Sequence, residues 1–207
     1  MFALTPDDLS GSILDCAAGP ASFNAEFSAE GRKIISCDPL YHFTADEIRS
    51  RIDAAYNTMV SNVRAASDEF VWRLFASPEN LGEARMAAME TFLDDFPHGM
   101  KEGRYLVRSL PHLGFREGEF DLALSSHLLF TYSERLSGDF HGAAIEEMCR
   151  VAAEARVFPL LKSYGGPSPH LEPAVDILRA RDYQAEVRRV PYEIQRGGDE
   201  MLVAGGG

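Results

Sequence analysis

Two acids, each closing a short apolar run, are the positions in this chain whose type and spacing can do chemistry. Ser12-Ile13-Leu14 leads into Asp15-Cys16-Ala17-Ala18-Gly19-Pro20-Ala21-Ser22-Phe23, where small residues turn sharply toward a helix. Ile34-Ile35-Ser36-Cys37 then ends in Asp38-Pro39, with Asp38 nineteen residues past Gly19. Two buried parallel strands ending side by side, one in a small-residue turn and one in a carboxylate, make an edge suited to a nucleoside. The carboxylate can accept both hydroxyls of a ribose in fixed geometry. The small turn residues let backbone N–H groups approach a ligand where a branched side chain would block it.

The elements that must position these residues alternate. Thr5-Pro6-Asp7-Asp8 reads as one helical turn before the first strand. A helix over 24–30 is stopped by Gly31, and a strand follows from Lys33 to Cys37. Between Asp38 and the next clear strand lie roughly 60 residues of helical pattern. Thr44-Ala45-Asp46-Glu47 opens a helix to about residue 63, Ser67-Asp68-Glu69 a second, and Ser77-Pro78-Glu79 a third. A parallel crossover needs one helix, so the surplus predicts a helical cap at about 43–103 inserted in a single domain spanning 1–207. Strands are expected at Tyr105-Leu106-Val107-Arg108, at Phe120-Asp121-Leu122-Ala123-Leu124-Ser125 and at Arg156-Val157-Phe158-Pro159-Leu160. Helices are expected over 142–154 and 172–181. The last two strands, 184–190 and 200–204, are joined too closely for a helical crossover and must pair antiparallel.

Composition bounds the possibilities. A chain of 207 residues, 45% hydrophobic and 25% charged, can bury a substantial core. Its net charge of −12 argues against a surface that tracks nucleic-acid phosphates. The apolar runs fall far short of the roughly 20 residues that span a bilayer, and Met-Phe-Ala-Leu-Thr-Pro-Asp-Asp lacks a positive leader region. Cys16, Cys37 and Cys149 match no metal spacing and read as reduced thiols of a cytoplasmic protein.

Five strands alternating with helices, then a reversed terminal pair, resembles the class I S-adenosylmethionine-dependent methyltransferases over residues 12–204. The resemblance implies an α/β, Rossmann-like methyltransferase fold: a mostly parallel seven-stranded sheet with an antiparallel last strand. It implies S-adenosyl-L-methionine as cofactor, a small-molecule acceptor and no metal. Asp15, Ala17 and Gly19 fall on the family's first-strand turn, with Asp15 near the donor's ammonium group. Asp38 with Pro39 falls on the ribose acid, Ser109 and Leu110 on the adenine contacts, and Ser125 and Ser126 on the fourth-strand motif facing the methionine moiety. Ala17 and Ala21 stand where glycines are usual, which predicts a variant turn with ordinary backbone angles. No acid follows the third strand, and the Asn/Asp-Pro-Pro-Tyr signature is absent.

His127 lies just past the fourth strand, as a candidate general base or as a wall of the cofactor pocket. Tyr41 and Tyr132 are lesser candidates, read as pocket walls. The stripe Met59, Phe70, Trp72, Phe75, Met86, Met89 and Phe92 reads first as core and second as a lid over the acceptor. Asp94-Asp95 and Glu146-Glu147 read as solvated helix faces. A second function fits the same edge: a cofactor-binding regulatory protein without transferase activity. A nicotinamide-dependent oxidoreductase would need the G-x-G-x-x-G fingerprint, which this chain lacks.

Overall fold

The computed structural model describes residues 1–163 and 165–206. Its strands are β1 (Ser12–Cys16), β2 (Lys33–Cys37), β3 (Tyr105–Leu106), β4 (Phe120–Ser126), β5 (Ala152–Phe158), β6 (Gln184–Arg189) and β7 (Glu200–Gly205). The helices are α1 (Phe23–Ala29), α2 (Ala45–Ala65), α3 (Pro78–Glu102), α4 (Gly138–Val151) and α5 (Leu171–Ala180). Among the described residues the strands form one sheet in the order β3-β2-β1-β4-β5-β7-β6. Pairing is parallel from β3 through β5, and β7 runs antiparallel to both β5 and β6. The terminal reversed pair is therefore present, with β7 slotted between β5 and β6.

Each central strand is apolar on both faces, as a covered parallel sheet requires. Leu14, Cys16, Ala123, Ala155 and Val157 pack under α4 and α5 through Ile145, Met148 and Leu178. Ile13, Ile34, Leu122 and Leu124 face the other way, against Phe23 and Phe27 of α1. A third cluster joins Tyr41, Phe92, Phe96 and Tyr105 and packs α3 beside the sheet edge.

Local chemistry sets the helix ends. Thr44 and Glu47 form a reciprocal capping box at the start of α2. Ser77 caps α3, Pro78 occupies its first turn, and Gly103 closes it at φ +74°. The last turn of α3 is fastened to the sheet by Arg104, which makes a two-pronged ion pair with Asp95 at 2.7 Å and donates to Asn24 Oδ1 at 2.7 Å. The Tyr105 hydroxyl donates to Asp95 at 2.8 Å. Asp95 is thus no solvated acid, and neither is Glu147. The latter accepts from the Leu113 N–H at 2.9 Å and pairs with Arg150.

Three expected elements are corrected. Ser67–Glu69 is a single 3-10 turn and not the start of a helix. Phe70 instead bridges antiparallel to Gln195, and the Val71 N–H donates to the Ile194 carbonyl at 2.8 Å. These hydrogen bonds to the loop between β6 and β7 replace the ones a helix would have made. Two helices, not three, lie between β2 and β3, and α3 itself serves as the crossover. The helix expected over 142–154 begins earlier, because Ser137 caps it through the Phe140 N–H. It passes straight into β5 at Ala152, so the strand starts four residues ahead of the expected Arg156.

Candidate functional site

Parallel register brings the two acids together. Asp15 pairs with Ser36 and Cys16 with Cys37, so the chain leaves β1 and β2 at the same level. Asp38 Oδ2 accepts from the Gly19 N–H at 2.9 Å, and Oδ1 accepts from the Leu40 N–H at 2.7 Å. Each carboxylate oxygen keeps a further lone pair. Burial holds the Asp38 carboxyl above the usual carboxylate range, and the two backbone donors offset part of that rise.

The turn is braced from below. Tyr41 is buried, and its hydroxyl donates to the Gly19 carbonyl at 2.9 Å. It belongs to the aromatic cluster and is not a pocket wall. Ala18 N–H donates to the Cys37 carbonyl at 3.2 Å. Gly19 sits at φ +59°, and Ala17 at φ +54° corrects the expectation of ordinary angles. A left-handed alanine costs about 1–2 kcal/mol, which the surrounding bonds must supply. His127, at φ +56°, is the second left-handed non-glycine residue on the same edge.

Asp15 is 6% exposed and lies beneath the turn, outside the cavity lining. Burial first, and the charge of Asp38 second, push its carboxyl up to about 7, with the Ser36 hydroxyl offsetting a little. A carboxyl in that state favours a neighbouring cation, which would stabilise its charged form.

Over this edge lies a cavity of about 760 Å³. Its floor includes Ala17, Asp38, Ser126 and His127; its walls come from Met59, Val63, Leu81, Arg85 and Met89 of α2 and α3, and from Tyr192, Ile194 and Gln195 after β6. A smaller cavity of about 270 Å³ adjoins it between α2 and α3, sharing Pro20, Met59, Arg85 and Met89. Two segments at the rim of the larger cavity are joined by hydrogen bonds. Besides the Phe70 bridge, the Arg196 N–H donates to the Glu69 carbonyl at 2.7 Å, and its guanidinium donates to the Asp68 carbonyl at 3.2 Å.

His127 lines the cavity and is exposed to it. The protein around it, and then the positive charge of Arg85, push its imidazole below its ordinary value. It is neutral at neutral pH and can accept a hydrogen bond; as a base it is weak. Tyr132 also lines the cavity and is exposed. Ser125 is fully buried beneath the end of β4, and its Oγ has no hydrogen-bond partner among the described residues; the same holds for Thr131 Oγ1 at the cavity wall. Pro39 is exposed at the start of the turn after β2. Ser109 is exposed and bridges to His112, while Leu110 is buried in the main core; neither lines the cavity.

Sequence reasoning missed Arg85, Tyr192 and Gln195. A signal for Arg85 existed: it is four residues from Leu81 and four from Met89, so it places a cation on an apolar helical stripe. Tyr192 and Gln195 carry no comparable periodicity. No group of acids, histidines and cysteines among the described residues is arranged to hold a metal ion, and none of the described helices is long and apolar enough to cross a membrane.

A sheet of this order with its seventh strand reversed, acids at the carboxyl ends of β1 and β2, and a roofed cavity above them defines the Rossmann-like methyltransferase fold. The chain belongs to the family of the uncharacterised protein MJ0045 of Methanocaldococcus jannaschii, with which it is 31% identical over 204 residues, 98% of this chain and 89% of that one. No protein-family model matches it. Similar solved structures include a TehB-like SAM-dependent methyltransferase from Corynebacterium glutamicum (17% identity, TM-score 0.47, covering 94% of this chain and 78% of that one). Another is the Burkholderia thailandensis 1,6-didemethyltoxoflavin-N1-methyltransferase with bound 1,6-didemethyltoxoflavin and S-adenosylhomocysteine (15% identity, TM-score 0.46, covering 94% and 69%). The fold assignment rests on the strand order and not on these distant likenesses.

Proposed function

We propose that this protein is an S-adenosylmethionine-dependent methyltransferase acting on a small molecule. The observation that carries the reading is the pairing at one sheet edge of Asp38, its carboxylate fixed by the Gly19 and Leu40 N–H groups, with the roofed cavity above. The residues present fit the cofactor. Asp38 retains lone pairs for two ribose hydroxyls, and Ala17 and Gly19 leave the turn uncluttered.

When bound, S-adenosylmethionine supplies an electrophilic methyl group. The protein's part is to hold the nucleophile in line with it and to exclude water, which can supply much of the rate without a dedicated base. The roof of α2, α3 and the β6–β7 loop serves that purpose as a helical cap over one domain. Neutral His127, facing the cavity, orients the acceptor by accepting its hydrogen bond and takes its proton only weakly. The cavity size suits a ligand of a few hundred daltons rather than a macromolecule.

The test is acceptor-dependent release of S-adenosylhomocysteine from S-adenosylmethionine, with small-molecule extracts as acceptor source. Release that requires an extract component, and a methylated product recovered from it, is the expected result. Tight cofactor binding with no release from any extract would favour a regulatory protein that holds the cofactor without transfer.

A further inference from the structure

The smaller cavity, about 270 Å³ between α2 and α3, adjoins the larger one along the shared Pro20, Met59 and Met89. Pro20 follows Gly19, and the Leu40 N–H donates to Asp38 at 2.7 Å, so this space begins beside the turn that would hold the ribose. Ile48 and Ile52 form part of its wall and belong to the buried cluster of Phe92 and Phe96. Met59, Met86 and Met89 add flexible thioethers, which adapt to the shape of a guest. Arg51 and Arg85 border the space, yet hardly any polar surface faces it, and the Arg51 guanidinium is stacked over the Phe43 ring at 3.7 Å.

The gap is not a loose fit of two helices. One turn before Met86, Gly82 brings α3 so close to α2 that a methyl group there would meet the Val60 side chain at 2.8 Å and the Tyr56 hydroxyl at 3.1 Å. Tyr56 borders the cavity as well, so tight contact and open space are neighbours. Water gains little in such surroundings, and an apolar group gains by filling them. Adenine does not suit the space: its amino group and ring nitrogens would face carbon and sulfur with their hydrogen bonds unmade. An apolar cavity of about 150 Å³ takes up one benzene ring, so this one has room for roughly ten carbons.

We infer that the cavity between α2 and α3 is the specificity pocket for the methyl acceptor, and that the acceptor carries an uncharged apolar arm, an alkyl chain or plain aromatic ring, which lodges there. Its nucleophile stays in the larger cavity with the methyl donor. This inference rests on the methyl-donor reading and names the substrate class for the same site. Burial alone holds the arm, so the pocket selects for size and length and not for charge.

The experiment measures binding of phenol and its para-ethyl, para-butyl, para-hexyl and para-octyl derivatives to protein saturated with S-adenosylhomocysteine. Affinity should rise about threefold for each added carbon until the cavity is full, the scale of burying one methylene. Ala55 and Met86 line the small cavity and not the large one; Ala55 is exposed and Met86 half-buried. Ala55→Trp should fill the space and flatten the series to less than about threefold overall, with S-adenosylhomocysteine bound as in the wild type. Met86→Ala should enlarge the space and move the limit to a longer chain. Unfolding transitions report whether each variant folds, and either folded variant decides alone. A series that is flat in the wild type, that shows no binding, that keeps its slope in Ala55→Trp or that keeps its limit in Met86→Ala overturns the inference and leaves the donor reading intact. Loss of S-adenosylhomocysteine binding in folded Ala55→Trp would put the cofactor in this space and overturns the inference too. Failure of the wild type to bind S-adenosylhomocysteine overturns both.

Discussion

Asp38→Ala is expected to weaken binding of S-adenosylhomocysteine by about a hundredfold. Two hydrogen bonds from ribose hydroxyls to a carboxylate contribute about 1.5 kcal/mol or more each, and every 1.4 kcal/mol is a factor of ten. The loss has a second source in the protein itself. The same carboxylate holds the Gly19 N–H at 2.9 Å and the Leu40 N–H at 2.7 Å, so the turn that should meet the ligand loses its anchor. Unfolding in the absence of ligand separates the two contributions: a fall of about 2–4 kcal/mol is expected from the orphaned backbone donors. Asp38→Asn, which keeps one acceptor oxygen, should fall between wild type and alanine in both measurements. Unchanged affinity in Asp38→Ala would remove the ribose from this edge.

Asp15→Asn is expected to do the opposite to stability. The Asp15 carboxyl rises to about 7 in the folded protein, mainly through burial. In the unfolded chain it ionises near its ordinary value of roughly 3.9. Between those two values the folded state holds a proton that the unfolded state has released, so stability falls as pH rises through that window. The penalty is complete above about pH 7 and absent below about pH 4. Each pKa unit corresponds to 1.36 kcal/mol, so about 4 kcal/mol is the upper scale of the effect. An uncharged amide at this position should therefore stabilise the ligand-free protein by a few kcal/mol at pH 8, with little change at pH 4. Denaturant unfolding of both proteins across this range reads the effect. Parallel pH profiles for wild type and variant would contradict it.

The two acids behave so differently because of where the strands end. Asp38 emerges beyond β2, half-buried and open to the cavity, while Asp15 is the penultimate residue of β1 and lies 6% exposed under the turn. Sequence spacing placed both at one edge but could not rank their depth, which depends on Asp15 lying within β1 and Asp38 one residue past the end of β2.

The strands and the reversed terminal pair were legible because they follow from short-range signals: apolar runs, turn residues, and a connection too short for a crossover. The Ser67 turn was not. Its helical pattern is genuine, but the Val71 N–H donates to the Ile194 carbonyl and the Glu69 carbonyl accepts from the Arg196 N–H, more than 120 residues downstream. Tertiary pairing of that kind overrides local propensity. The positive φ of Ala17 was hidden for a related reason. Alanine disfavours that angle intrinsically, and only the Tyr41 hydroxyl, the Asp38 carboxylate and the Cys37 carbonyl around the turn hold it there. Asp95 and Glu147 looked solvated because their partners Arg104 and Leu113 come from other elements. Arg85 gave its signal in the helical period, yet its meaning required knowing that the apolar stripe faces a cavity and not the core.

Calorimetric titration of the wild-type protein with S-adenosylhomocysteine tests the central claim most directly. Saturable binding at one equivalent per chain, together with an upward shift in the melting transition, is the predicted result. A flat titration from a protein that still unfolds cooperatively would show that this edge, with its paired acids and roofed cavity, does not hold the methyl donor.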